Sequence, residues 1–157
     1  MEDKIPLTIA GKEALEAELK RLKGVERPAI IQAIEVARAN GDLSENADYQ
    51  FAKEKQSFIE GRILDIGDKL ARAEVIDPSK IQAEKVVFGA TVTLVDEDGK
   101  QRRYQIVGEP EADLEKGKIS VSSPISRALL GKLAGDEAIV RSPKGEVVYE
   151  VSKVEYI

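Results

Sequence analysis

The sequence predicts an α+β protein: a long N-terminal antiparallel coiled-coil hairpin followed by a small antiparallel-sheet domain with one short helix. Three observations carry that prediction. Apolar residues recur at heptad spacing in two separate stretches of the first 77 residues. A cluster of turn formers divides those stretches near residue 44. Beyond Asp77-Pro78-Ser79-Lys80 the apolar period drops to two, the spacing of strands.

The first helix is expected to start at Thr8, as N-cap, and to run to about Asn40. Leu15, Leu19 and Leu22 are spaced four then three, and Ile30, Ile34 and Ala37 repeat that spacing. Pro28, in Val25-Glu26-Arg27-Pro28, should kink or briefly break the helix. The second helix is expected from about Glu45 to Glu74. Its seam is Ala52, Ile59, Ile63, Ile66, Leu70 and Ala73, with Gly61 and Gly67 off the seam. Facing residues of an antiparallel pair have numbers with a constant sum. Leu15 with Ala73, Leu19 with Leu70, Leu22 with Ile66, Ile30 with Ile59 and Ala37 with Ala52 all give 88 or 89. The turn therefore centres near residue 44, in Asn40-Gly41-Asp42-Leu43-Ser44-Glu45-Asn46, with Asn-Gly stopping one helix and Asp42 or Ser44 restarting the next. Arms of roughly 30 residues make a rod about 45 Å long. That length exceeds what a small core needs and suggests reach.

In the second part, Thr91–Val95 and Arg102–Val107 flank an Asp-Gly turn at Asp98-Gly99. Ile119–Ser122 reads as a third strand, and Ser123-Pro124 opens a short helix through Leu133. Ala138–Arg141 and Glu146–Val154 form a last hairpin. The domains are expected at 1–77 and 78–157.

Composition narrows the chemistry. With no cysteine and no histidine among 157 residues, disulfides, thiolate and imidazole metal sites, thiol nucleophiles and Ser-His triads are all excluded. No apolar run approaches membrane-spanning length, and the start Met1-Glu2-Asp3-Lys4 is unlike a signal peptide, so a cytoplasmic location is expected. Net charge is −5, and residues 1–77 and 78–157 contribute −4 and −1. Neither part has the basic balance of a typical nucleic-acid-binding domain.

Asp42 and Glu45 at the turn support two readings. Asp42-Leu43-Ser44-Glu45 fits a capping box, in which Asp42 and Glu45 satisfy each other's backbone amides. It also fits a pair of carboxylates presented on a projecting turn. Such a pair supplies part of a Mg²⁺ shell, the remainder coming from waters and substrate phosphates. Alone it should hold no metal stably.

Gly41-Asp42-Leu43-Ser44-Glu45-Asn46-Ala47-Asp48-Tyr49 resembles the tip signature of the bacterial Gre transcript-cleavage factors. Further matching stretches are Ile5-Pro6-Leu7-Thr8, Glu60-Gly61-Arg62-Ile63, Phe88-Gly89-Ala90-Thr91-Val92, Ile119 through Ile125, and Val154-Glu155-Tyr156. Essentially the whole chain is covered. The resemblance implies an FKBP-like second domain that docks on bacterial RNA polymerase, and a coiled coil that passes down the polymerase's secondary channel. It implies that Asp42 and Glu45 help hold a Mg²⁺ shared with the polymerase and position the attacking water, so that the polymerase cleaves backtracked RNA. The factor donates ligands and is not itself an enzyme. Ser44, Asn46 and Tyr49 would support the tip, with Ser44 also readable as a plain N-cap and Tyr49 as a packing residue. Arg38 and Lys53, close to the pairing sum, would contact the RNA 3′ segment, though two basic residues on a charged rod are also an ordinary solvated face. The resemblance further implies a monomer acting away from membranes, and a DNA-binding classification that the net charge does not itself suggest.

Three rivals stand beside this reading. Gre homologues that occupy the channel and inhibit tend to carry altered or more acidic tips. A prolyl isomerase would need an aromatic pocket, whereas Phe88, Tyr104, Tyr149 and Tyr156 are scattered. A generic coiled-coil adaptor leaves the tip signature unexplained.

Overall fold

The structure is a computed structural model, and it describes residues 3–41 and 46–157. In chain order the regular elements are strand β1 (Ile5–Thr8), helix α1 (Ile9–Arg21), a π-helical turn (Leu22–Glu26), helices α2 (Arg27–Arg38) and α3 (Ala47–Ala71), and strand β2 (Ala73–Ile76). Strands β3 (Thr91–Val95), β4 (Gln101–Val107) and β5 (Lys118–Ser120), helix α4 (Pro124–Leu129) and strands β6 (Glu137–Ser142) and β7 (Gly145–Glu155) follow. These elements fall into two compact units: Lys12–Arg72, and Asp3–Gly11 together with Ala73–Ile157.

In the helical unit, the seam read from the sequence is the buried face. Leu15, Leu22, Ile30, Ile34 and Ala37 on one arm and Ala52, Ile59, Ile63 and Ile66 on the other are buried, while Leu19 and Leu70 are half-buried. Each large side chain removed from water in this way contributes about 1.5–3 kcal/mol. Pro28 does not break the arm. The spacing from Leu22 to Ile30 is eight residues, one more than a heptad. The π turn takes up the extra residue: the Arg27 N–H donates to the Leu22 carbonyl, five residues back. The seam therefore stays in phase, and Pro28, near the start of α2, sits where its missing N–H costs least.

Two bidentate ion pairs tie the arms together. Arg27 Nε and Nη2 donate to Glu60 at 2.8 and 2.7 Å, and Arg62 Nε and Nη2 donate to Glu18 at 2.6 and 2.8 Å. The Arg62 hydrogen bond holds the Glu18 carboxyl below its ordinary pKa, against partial desolvation that pushes the other way.

Helix α3 is shorter at both ends than the expected Glu45–Glu74. Ala73 does not join the hairpin seam. It begins β2, which pairs in parallel with β1 in the register Ile5↔Ala73 through Thr8↔Ile76. Thr8 does cap α1, its Oγ1 accepting from the Gly11 N–H at 3.0 Å. The compact units part at 11/12 and 72/73, because the β1–β2 ladder packs with the C-terminal residues. Leu7 within it is fully buried.

The larger sheet has strand order β5-β4-β3-β7-β6. Its pairs are antiparallel except β4–β5, which run parallel because two short turns at 109–111 and 114–116 bring the chain back to Gln105, so that β5 runs beside the last three residues of β4. A register shift opposite Thr93/Leu94 leaves Ser152 as an extra residue in β7. This bulge lets Val151 and Val154, three apart, pair with Leu94 and Val92, two apart, and still both face the core. Helix α4, shorter than expected, places Leu129 in that core beside Val86, Ala90, Val92, Leu94, Ile106, Ile119, Ala138 and Val151. Tyr104, Tyr149 and Tyr156, scattered in sequence, converge on it. Tyr156 Oη accepts from the Val87 N–H at 2.9 Å and donates to the Lys85 carbonyl at 2.6 Å, fixing the approach to β3.

Candidate functional site at the hairpin end

Asp42, Ser44 and Glu45 lie outside the described residues, so the site is built from its flanks. On the incoming side α2 ends at Arg38. The Asn40 N–H donates to the Ala37 carbonyl at 3.1 Å, the Gly41 N–H donates to Arg38 at 3.4 Å, and Gly41 takes φ 116°. That backbone conformation favours glycine and turns the chain out of the helix.

On the outgoing side α3 begins at Ala47, with Asn46 as N-cap (φ −84°, ψ 100°). Asn46 Oδ1 accepts from the Tyr49 N–H at 3.0 Å, and Asn46 Nδ2 donates across the hairpin to the Ala37 carbonyl at 2.6 Å. One half-buried side chain thus caps the second arm and ties it to the first. The restart expected at Asp42 or Ser44 falls instead on Asn46, and Asp48 stands in the first turn, where a carboxylate favours the helix dipole. Asn is among the best N-capping residues, so the signal was present in the sequence. It competed with two equally capable neighbours.

Tyr49 is half-buried, and the Arg38 guanidinium carbon lies 5.9 Å from its ring centroid. A cation in that position gains about 0.5–1 kcal/mol at an exposed site. Arg38 lies over Tyr49, and Lys53 Nζ donates to Gln56 Oε1 at 3.1 Å. Both basic residues are exposed.

The arrangement is a short connection between a glycine-terminated helix and an asparagine-capped one, with a stacked Arg–Tyr pair just behind. Hard carboxylate oxygens on such a connection suit Mg²⁺ as a partial shell. Among the described residues, no group of three or more acidic side chains converges to form a metal site, and no helix is long and apolar enough to cross a membrane.

Family models match both units of the chain. A model described as "Transcription elongation factor, N-terminal" matches residues 5–75, and one described as "Transcription elongation factor, GreA/GreB, C-term" matches residues 81–156. "Transcription elongation factor GreA" of Hyphomonas neptunium is 63% identical over 155 residues, covering 98% of this chain and 99% of that protein. The protein of the same name from Phenylobacterium zucineum is 58% identical over 156 residues, covering 99% of each. Among solved structures, GreA factor homolog 1 of Thermus thermophilus is 28% identical, covers 97% of this chain and 99% of its own, and superposes with a TM-score of 0.45. On the strength of the sequence matches, which span both units, the chain belongs to the GreA/GreB family of transcription elongation factors.

Proposed function

We propose that this chain is an elongation factor that enters the secondary channel of bacterial RNA polymerase and stimulates the polymerase's own cleavage of backtracked RNA. The observation that carries the reading is the cap at Asn46. Asn46 caps α3 and ties the two arms, and Asp42 and Glu45 stand in the sequence just before it. In this reading the two carboxylates are ligands donated to another active site.

In this reading Asp42 and Glu45 share a Mg²⁺ with the polymerase and orient the attacking water, with Ser44 between them. Mg²⁺ bound there would polarise the phosphodiester and acidify that water. Asn46 holds the connection closed, and Tyr49 with Arg38 stiffens the arm behind it. Lys53 and Arg38 offer charge to the phosphates of the RNA 3′ segment. The apolar cleft of about 450 Å³ bordered by Leu114, Ile119, Pro124, Ile125 and Val140 would serve docking by the C-terminal unit. The factor acts as a cytoplasmic monomer, holds no metal stably alone, and adds groups to a centre it does not itself contain.

The test uses a stalled, backtracked polymerase complex with Asp42→Asn and Glu45→Gln variants. Each should lower factor-stimulated cleavage on the order of 100-fold, the scale for losing one group that stabilises transition-state charge. Polymerase binding should persist. Full binding with near-normal cleavage would reject the donated-ligand mechanism, and an inhibitory channel-binding protein would slow the polymerase without any gain in cleavage.

A further inference from the structure

Both roots of the hairpin belong to the C-terminal unit. Strand β1 leads into α1, β2 follows α3, and the two strands form one parallel ladder. That ladder is secured by a residue far away in sequence. Glu111 lies in the short turn after β4, and its Oε2 accepts from the Thr8 N–H at 2.8 Å and from the Gly108 N–H at 2.9 Å. Its Oε1 accepts from the Thr8 hydroxyl, and Thr8 Oγ1 in turn accepts from the Gly11 N–H at 3.0 Å. Thr8 is only 3% exposed. One carboxylate therefore holds the residue that caps α1.

The site is shaped for this carboxylate. A Cβ on Gly11 would stand 2.2 Å from the Glu111 carboxyl carbon, and a Cβ on Gly108 would collide with the Pro6 carbonyl oxygen. Two glycines are required for the approach, one on each side of the contact. Charge-assisted hydrogen bonds of this type are about twice as strong as neutral ones. A single carboxylate with three donors is a heavy investment for a turn between short strands, unless the root itself must be held.

We propose that Glu111 is a positioning residue for the cleavage function: it fixes the first turn of α1, the root from which the hairpin arm starts. The proposal rests on the reading given under Proposed function. A lever argument supplies the magnitude. Helix α3 has 25 residues, so its length is about 37 Å at 1.5 Å per residue. A tilt of about 5° at the root of an arm that long moves the far end by about 3 Å. Misplacement of a reacting group by about 1 Å can cost on the order of 100-fold in rate.

The experiment compares intact chains carrying Glu111→Ala, Glu111→Gln, Gly11→Ala, the Gly11→Ala/Glu111→Ala pair, and Asp42→Asn. Hydrogen exchange on the free proteins reads the latch, and polymerase affinity and cleavage at saturating factor read its consequence. Glu111→Ala should expose amides 8–11 to faster exchange and lower saturating cleavage roughly 10–100-fold, with affinity within about threefold. Glu111→Gln, which keeps an acceptor for the Thr8 amide, should recover part of the rate. Gly11→Ala should resemble Glu111→Ala, and the pair should be no worse than Glu111→Ala alone, because removing the carboxylate vacates the space the new methyl needs. Saturating cleavage by Glu111→Ala within about twofold of the parent would overturn the proposal, as would an effect confined to affinity. Asp42→Asn separates the two readings. If it abolishes cleavage while Glu111→Ala does not, the latch proposal alone fails. If it leaves cleavage intact while Glu111→Ala lowers it, the tip reading fails and the positioning role stands.

Discussion

Replacing Asn46 with alanine removes two interactions at once, and the structure allows each to be weighed. Loss of an N-cap costs about 0.5–2 kcal/mol. The bond from Nδ2 to the Ala37 carbonyl adds about 0.5–1.5 kcal/mol. That carbonyl also accepts from the Asn40 N–H, so it is not orphaned, and the second contribution belongs at the lower end. The expected loss is about 1–3 kcal/mol, confined to the hairpin end. Hydrogen exchange at Tyr49, whose N–H donates to the cap, should accelerate by roughly tenfold or more. Asn46→Asp divides the two roles. It keeps an acceptor for the Tyr49 N–H and adds a charge favourable at a helix N-terminus. It also sets a carboxylate against the Ala37 carbonyl, losing the tie across the arms. The aspartate variant should therefore retain protection at Tyr49 and still lose cleavage stimulation in part. Unchanged protection at Tyr49 in Asn46→Ala would refute the assignment of Asn46 as the closing residue.

Two further outcomes concern the shaft. Because Arg62 lowers the folded-state pKa of Glu18, that pair stabilises the hairpin above the ordinary carboxylate pKa of about 4.3, and its contribution is lost as pH falls through the lower folded value. Thermal melts from about pH 6 down to pH 3 should show the parent losing about 0.5–1 kcal/mol more than Glu18→Gln does, and parallel curves would contradict this. Gly61 and Gly67 lie within α3 with open space where a Cβ would stand. Alanine at either position should stabilise the hairpin by about 0.8–1 kcal/mol, visible as a higher melting temperature, and a loss of stability would show that one of them packs closely.

What the sequence disclosed and what it hid follow from the range of the interactions. The two seams were legible because heptad spacing is local, and Ile59, Ile63 and Ile66 are buried as that spacing requires. Pro28 suggested a kink or brief break, whereas a π turn absorbs the eight-residue step between Leu22 and Ile30 without ending the helix. The ladder of β1 and β2 was hidden. Pro6 argues against a strand, both strands have only four residues, and their partners lie 68 positions apart. Glu111 and Thr8 are 103 residues apart, and no local pattern joins them. At the tip, Asp42, Ser44 and Asn46 are all competent caps. Asn46 is the cap of α3, and its second bond runs to the opposite arm.

The claim that Asp42 and Glu45 act as ligands donated to the polymerase is tested most directly by the Mg²⁺ dependence of RNA cleavage in a backtracked complex saturated with factor. With the parent chain, half-maximal cleavage should be reached at a lower Mg²⁺ concentration than without factor. Asp42→Asn should raise that concentration by roughly tenfold or more, with partial recovery of rate at high Mg²⁺ and no change in polymerase affinity. An identical Mg²⁺ requirement for parent and variant, with equal maximal rates, would contradict the account.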